Sequence, residues 1–240
     1  MEEKYSGIVL NAVSYGEFDK LLNIFTLEKG IVFAKIKSVK KAGAKMKFAS
    51  EPFCFAEFVC SFKGNNKSII GASLIDSFYP IRNDIRKFFA ATTITEFAKR
   101  FLKEGIVAET LFMTMIDALK KLAYKDDMPE ITVVSFLLDA LKETGYAINI
   151  NGCCACGHEI EGRIFFDYAS GGFLCEKCAE NTHREINFST YEALKEISKN
   201  NQVSLVKAVK CLKLLNYYIQ QKPEETIKSL QELIKLSDLR

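Results

Sequence analysis

The chain has 240 residues, 48% hydrophobic and 26% charged, with a formal net charge of +3. This is the composition of an ordinary globular protein with a substantial core, in one large domain or two modest ones. No apolar run reaches the roughly 18 residues needed to cross a membrane, and so small a global charge gives no argument for a polyanionic partner. The opening Met1-Glu2-Glu3-Lys4 lacks the charged-then-apolar plan of a secretory signal. A cytoplasmic location with reduced cysteines is therefore expected.

The first 80 residues read as β-structure. Tyr5–Val13 is a β-rich run, Gly16 with Asp19 marks a turn, and Leu21–Thr26 is a second run. After Gly30, Ile31–Val39 alternates, with Val32, Ala34 and Ile36 on one face and Lys35 and Lys37 on the other. Phe53–Phe62 alternates too, and Gly64-Asn65-Asn66 is a hairpin turn signal leading into Ser68–Phe78. Five strands in so short a stretch suggest a closed barrel, since closure removes exposed edges. An OB-fold is the commonest barrel of this size, and an SH3-like barrel is the alternative.

Pro80 ends this region and the period changes to that of helices. Apolar residues recur at three and four from Arg82 to Lys103, and again over Leu111–Ala123. Thr132–Thr144 gives a third helix, stopped by Gly145. Later, Ser189 with Glu192 has capping-box spacing. Leu205 to Ile219 carries another apolar stripe, and Pro223 suits the first turn of a last helix with Ile227, Leu230 and Ile234. The expected fold is α+β: a five-stranded OB-fold barrel over 1–79, then a helical domain over 80–240. A four-cysteine segment at about 150–183 interrupts the helices.

That segment reads Cys153-Cys154-Ala155-Cys156-Gly157, then seventeen residues, then Cys175-Glu176-Lys177-Cys178. Two Cys-x-x-Cys pairs at this separation have the spacing of a four-thiolate zinc site, each short loop wrapping one edge of a tetrahedron. Disulfides would leave Cys54, Cys60, Cys154 and Cys211 to be partnered as well, and a thioredoxin-like motif needs only one pair beside a βαβ unit. One structural Zn2+ on Cys153, Cys156, Cys175 and Cys178 is the expectation. It would lower the formal charge by two, to +1, and contribute directly to folding.

Catalysis is not expected. The two histidines, His158 and His183, flank the cysteines, and His158 is an alternative ligand. Neither lies near a nucleophile elbow, a phosphate-binding loop or the His-x-Glu of a zinc deaminase. Four cysteines also close the metal shell, whereas catalytic zinc keeps one position open. Local charge is more informative. Residues 29–47 hold seven lysines and no acid, whereas residues 153–185 carry three basic and six acidic side chains. An isolated lysine run is most often a solvated face. On a barrel of this type it points to nucleic acid, with phosphates held by Lys35, Lys37, Lys40, Lys41, Lys45 and Lys47 and bases stacked on Phe33 or Phe48. The acidic cysteine segment is a poor place for phosphates, and its helical neighbours are better suited to another protein.

The order of these parts resembles the RecO family of bacterial recombination mediators. Gly7-Ile8-Val9-Leu10, then Tyr15-Gly16-Glu17-Phe18-Asp19-Lys20-Leu21-Leu22, Phe25-Thr26 and Gly30 look like its opening signature. Cys153-x-x-Cys156-Gly157 and Gly171-Gly172-Phe173-Leu174-Cys175-x-x-Cys178 look like its zinc segment. Two departures stand out: every basic residue from 20 to 67 is lysine where the family often uses arginine, and Cys154 is an additional thiol. The resemblance implies a non-catalytic DNA repair protein, nucleoid-associated during repair. It would bind single- and double-stranded DNA, anneal complementary strands and act with RecR. Together they would help RecA load onto DNA covered by single-strand-binding protein (SSB). The helical domain would take SSB's acidic C-terminal tail, for which Lys99, Arg100 and Lys103 at a helix end are candidate contacts. The competing reading is a zinc-stapled protein-interaction module without direct DNA binding.

Overall fold

In the computed structural model, residues 2–63, 66–222 and 226–239 are described. Gly64 and Asn65 of the expected hairpin turn, and Pro223, lie outside them. The five strands are β1 (Glu2–Tyr15), β2 (Asp19–Thr26), β3 (Gly30–Ile36), β4 (Phe55–Lys63) and β5 (Asn66–Asp76), closed into a barrel in the order β1-β2-β3-β5-β4. The parallel β3–β5 pair and the double pairing of β1 give the OB-type topology. The first half of β1 pairs with β4 and the second half with β2. Gly7 belongs to both ladders, where a Cβ would come within 2.6 Å of the Ile24 side chain.

Alternation places one set of side chains inside. Val9, Leu22, Ile24, Val32, Ala34, Ile36, Ala56, Phe58, Cys60 and Ile69 form the barrel core. The expected alternation of β3 is therefore present, but the strand stops at Ile36 rather than Val39. Asp19 accepts the Ser38 N–H at 2.7 Å, and Ser38 turns to a φ of +55°. Lys37 consequently lies just beyond the strand.

Six helices follow among the described residues: α1 (Ile85–Phe101), α2 (Glu109–Tyr124), α3 (Pro129–Glu143), α4 (Phe188–Ser198), α5 (Leu205–Gln220) and α6 (Lys228–Asp238). None is long and apolar enough to cross a membrane. By packing, residues 1–85 and 94–124 form one unit, and residues 86–93 and 125–240 a second. In the first, α2 places Phe112 edge-on to Phe25 and Phe55, with centroids 5.2 and 6.1 Å away. In the second, buried residues of α3 to α6, among them Leu137, Leu194, Leu212, Leu215 and Leu230, make up the helical core. A fully buried carboxylate, Glu130, takes Arg86 at 3.2 Å and the Ser237 hydroxyl at 2.6 Å.

Helix ends follow local chemistry. Gly145 has a φ of +84°; its N–H donates to Lys142 O at 3.2 Å and the Tyr146 N–H to Leu141 O at 2.7 Å. This is the Schellman arrangement expected of a glycine at that place. The start of α4 differs from the reading of the sequence. Its cap is Asn187, whose Oδ1 accepts from the Ser189 N–H at 2.9 Å and the Ser189 hydroxyl at 2.6 Å, so Ser189 lies already inside the helix.

The cysteine segment holds more structure than its sequence suggests. It forms a four-stranded sheet from β6 (Asn149–Cys153), β7 (Ile164–Asp167), β8 (Gly172–Cys175) and β9 (Arg184–Ile186), in the order β6-β8-β7-β9. Strands of three to five residues are too short to show a period of their own.

Candidate functional sites: a cysteine cluster and a lysine-rich barrel end

The sheet brings the two Cys-x-x-Cys turns side by side. Cys153 ends β6 and Cys175 ends β8; these strands run parallel, with Cys153 opposite Phe173. Each turn is closed by its own backbone, Gly157 N–H to Cys153 O at 2.8 Å and Cys178 N–H to Cys175 O at 3.0 Å. The Sγ atoms of Cys153, Cys156, Cys175 and Cys178 all lie within 4.8 Å of one another, and Cys156 and Cys175 are 3.9 Å apart. Sulfurs about 2.3 Å from a central ion in a tetrahedron would be about 3.8 Å apart. A disulfide needs about 2.05 Å, and all eight cysteines are free. The donor set therefore fits one metal ion.

The electrostatics agree. Burial opposes ionisation of Cys153, but the N–H groups of Cys175, Cys156 and Ala155 outweigh it and bring the thiol down to about 6. Hydrogen bonding with Cys175 and Cys156 pushes Cys178 up to about 12. Four neighbouring thiols cannot all ionise unless a cation lies among them, which is what a four-cysteine shell supplies room for. Cys54, Cys60 and Cys211 are buried thiols that desolvation pushes up to about 12, 11 and 12, as expected of core residues. Cys154 points elsewhere, its Sγ 3.8 Å from the Ser170 hydroxyl.

Beneath the cluster, Phe173 packs on Phe166 at 4.9 Å and on Tyr191 of α4 at 4.8 Å, and Phe166 meets Tyr218 of α5 at 5.8 Å. The Tyr191 hydroxyl accepts the Gly152 N–H at 3.2 Å. The cysteine turns thus lie at the ends of strands of a sheet that is seated on two helices. Its outer side carries Glu159, Glu161 and Glu176, matching the acidic character read from the sequence.

The lysines occupy the opposite kind of environment. The loop after β3 is a chain of tight turns, with N–H to C=O bonds from Lys41 to Ser38, Ala44 to Lys41 and Lys47 to Ala44, each 3.2 Å. Val39 and Ala49 are buried in the barrel core, and Met46 and Phe48 pack against it. These anchors leave Lys37, Lys40, Lys41, Lys45 and Lys47 exposed. The loop also grips the β1–β2 turn: Lys40 N–H donates to Phe18 O at 3.0 Å and Lys40 Nζ to Gly16 O at 3.3 Å. Lys41 Nζ lies 5.0 Å from the Phe18 ring centroid.

The six lysines are therefore gathered at the end of the barrel where β3 leaves the sheet, but they are not equivalent. Lys35 is half-buried and bound to Asp19 at 2.8 Å. The Lys35 ammonium and the Ser38 N–H hold the Asp19 carboxyl below its ordinary range. From the sequence Asp19 reads only as part of a turn and of the opening signature, not as the partner of Lys35, although opposite charges on neighbouring strands are the pairing that could have flagged it. Of the two expected stacking rings, Phe33 is exposed, whereas Phe48 is partly buried against the core. At the end of α1, Arg100 is engaged by Glu96 at 3.1 Å, while Lys99 and Lys103 are exposed.

Comparison with known proteins places both regions in one context. The family model for the recombination protein O N terminal matches residues 1–78, and that for its C terminal matches residues 82–231. The DNA repair protein RecO of Desulforamulus reducens is 30% identical, over 97% of this chain and 94% of its own. That of Acetivibrio thermocellus is 30% identical over 78% and 74%, and that of Clostridium novyi 28% over 95% and 92%. With both halves matched in order over most of its length, the chain belongs to the RecO family of DNA repair proteins.

Proposed function

We propose that this protein is a non-catalytic recombination mediator that binds single- and double-stranded DNA at the lysine-rich end of its barrel and anneals complementary strands. The observation that carries this reading is the run of seven lysines and no acid over residues 29–47, anchored on an OB-type barrel with six of its members exposed. Lysines act as point charges on phosphate, so binding is salt-sensitive and nearly independent of sequence. Neutralising two backbones at once lets complementary strands approach, which annealing requires. With RecR, the protein would help RecA load onto SSB-coated DNA. The cysteine cluster would hold one Zn2+ as a closed structural site, its role being to keep the sheet and the helices of the second unit folded.

For the acidic SSB tail, two places compete. Lys99, Arg100 and Lys103 are the contacts expected from sequence. A cavity of about 510 Å³ in the second unit is a second candidate for an acidic peptide. It has Leu214 and Tyr217 in its wall and Arg184 and Lys210 around it, with Glu185 also lining it and Lys213 paired to Asp238 at 2.8 Å. A labelled acidic tail peptide titrated into Lys210→Ala and Lys99→Ala variants separates the two. The parent reading is tested by annealing of SSB-coated oligonucleotides with wild type and with Lys40, Lys41 and Lys45 changed to Glu. Unchanged DNA affinity in the triple variant would overturn it.

A further inference from the structure

Beside the lysines, the outer face of β1–β3 carries exposed apolar side chains where alternation ordinarily places polar ones. The irregularity in β1 between Val9 and Asn11 keeps the strand in phase with β2. Ala12, Leu22 and Ala34 then meet the core, while the next row outward is Val13 opposite Leu21 opposite Lys35. Asn11, Asn23 and Phe33 form the row on one side of it, and Tyr15 with Asp19 lies beyond it on the other. Val13 is 50% exposed, Tyr15 54%, Phe33 42%, and Phe18 in the adjoining turn 39%. Deeper along the same face, Ile8, Phe25 and Ile31 are buried, with Phe112 of α2 against Phe25. The uncovered part is thus the part next to the lysine loop. Two of its rings are each approached by a cation: Lys35 Nζ is 4.6 Å from the Tyr15 centroid and Lys41 Nζ 5.0 Å from that of Phe18.

Rings beside ammonium groups on a sheet surface match the alternation of base and phosphate along an unpaired strand. Duplex DNA keeps its base faces inside the stack and offers this surface only phosphates, sugars and the base edges of its grooves. We infer that Tyr15, Phe18 and Phe33 are a stacking platform for unpaired bases, so that this face gives the barrel a preference for single strands while the lysines serve both forms. This assignment rests on the proposal that the barrel binds DNA.

The test uses the full-length, metal-loaded protein with a fluorescein-labelled oligothymidylate 20-mer and a 20-base-pair duplex, each at two salt concentrations. Changing Tyr15 and Phe33 to Ala should weaken single-strand binding about 5- to 100-fold and leave duplex binding within about twofold, with an unchanged salt slope. The chain contains no tryptophan, so Phe33→Trp introduces a single reporter. Its emission should be quenched by unlabelled oligothymidylate and not by the duplex. Equal losses on both DNAs, or no loss together with an unquenched indole in the Phe33→Trp variant, would overturn the platform and leave the lysine site standing. Failure of the wild type to bind either DNA would remove the parent reading, and the platform with it.

Discussion

The lysine loop and the cysteine turns are both short irregular segments at the ends of small sheets, yet they solve opposite electrostatic problems. Around the cysteines, negative charge is concentrated and drawn inward: four sulfurs lie within 4.8 Å, with backbone N–H groups aimed at Cys153. Four ionised sulfurs at that spacing would need a cation among them, and an ion held there would become part of the fold. Around residues 37–47, positive charge is held outward. Val39, Met46, Phe48 and Ala49 anchor the loop from beneath, so the chain folds there without a counterion and the lysines remain available. The lesson is that spacing in sequence marks a site, whereas the direction in which its charges point decides whether it serves the protein or a partner.

The largest effect should come from breaking the inward-facing site. Cys175→Ser removes a ligand at the end of β8 and leaves three thiols in a partly buried pocket. A loss on the order of 5 kcal/mol, well below the roughly 10–16 kcal/mol of structural zinc sites, corresponds to a melting point lower by about 10–20 °C. Calorimetry with and without a chelator checks this: the chelator should lower the wild-type transition towards that of the variant and change the variant little. A variant as stable as wild type would mean that the cluster is not a structural metal site.

Breaking the outward-facing site should leave the fold intact and weaken binding. With about five phosphates of a single strand neutralised, log K falls against log salt with a slope near −3.5. Lys40, Lys41 and Lys45 changed to Glu should flatten that slope by about 2 and weaken binding on all sequences alike, while the melting point stays within about 2 °C. Fluorescence anisotropy across a salt series measures the slope. A folded variant with the wild-type slope would show that the lysines are only a solvated face.

A smaller effect sharpens the contrast from inside the barrel. Asp19 occupies Lys35, so Asp19→Asn should release that charge, steepen the salt slope by about 0.7 and strengthen single-strand binding a few-fold. The sign with pH follows from the lowered carboxyl. The clamp's contribution to stability is present above the ordinary carboxylate value near 4 and is lost as pH falls through the lowered one. Wild type and variant should therefore differ throughout about pH 5–8 and converge only in stronger acid. Convergence near neutral pH would contradict the clamp.

Local chemistry alone determined the parts of this protein that depend on near neighbours in the chain. The alternation of Val32, Ala34 and Ile36 set the inner face of β3, the Cys-x-x-Cys pairs set the ligand turns, and Gly145 set the end of α3. Each rests on a short-range periodicity or on a backbone angle that one residue type supplies. The rest depended on residues far apart. Alternation already put Phe33 on the outer face of β3, whereas nothing near Phe48 in the sequence shows that it packs against the barrel core. Asp19 and Lys35 meet only because β2 and β3 pair in one register, Tyr15 and Phe33 share a face only through the β1 irregularity, and the four-stranded sheet forms from strands too short to have a pattern. Burial and charge compensation are properties of the closed barrel and the seated sheet, so folding alone selected which lysines and rings are left facing solvent.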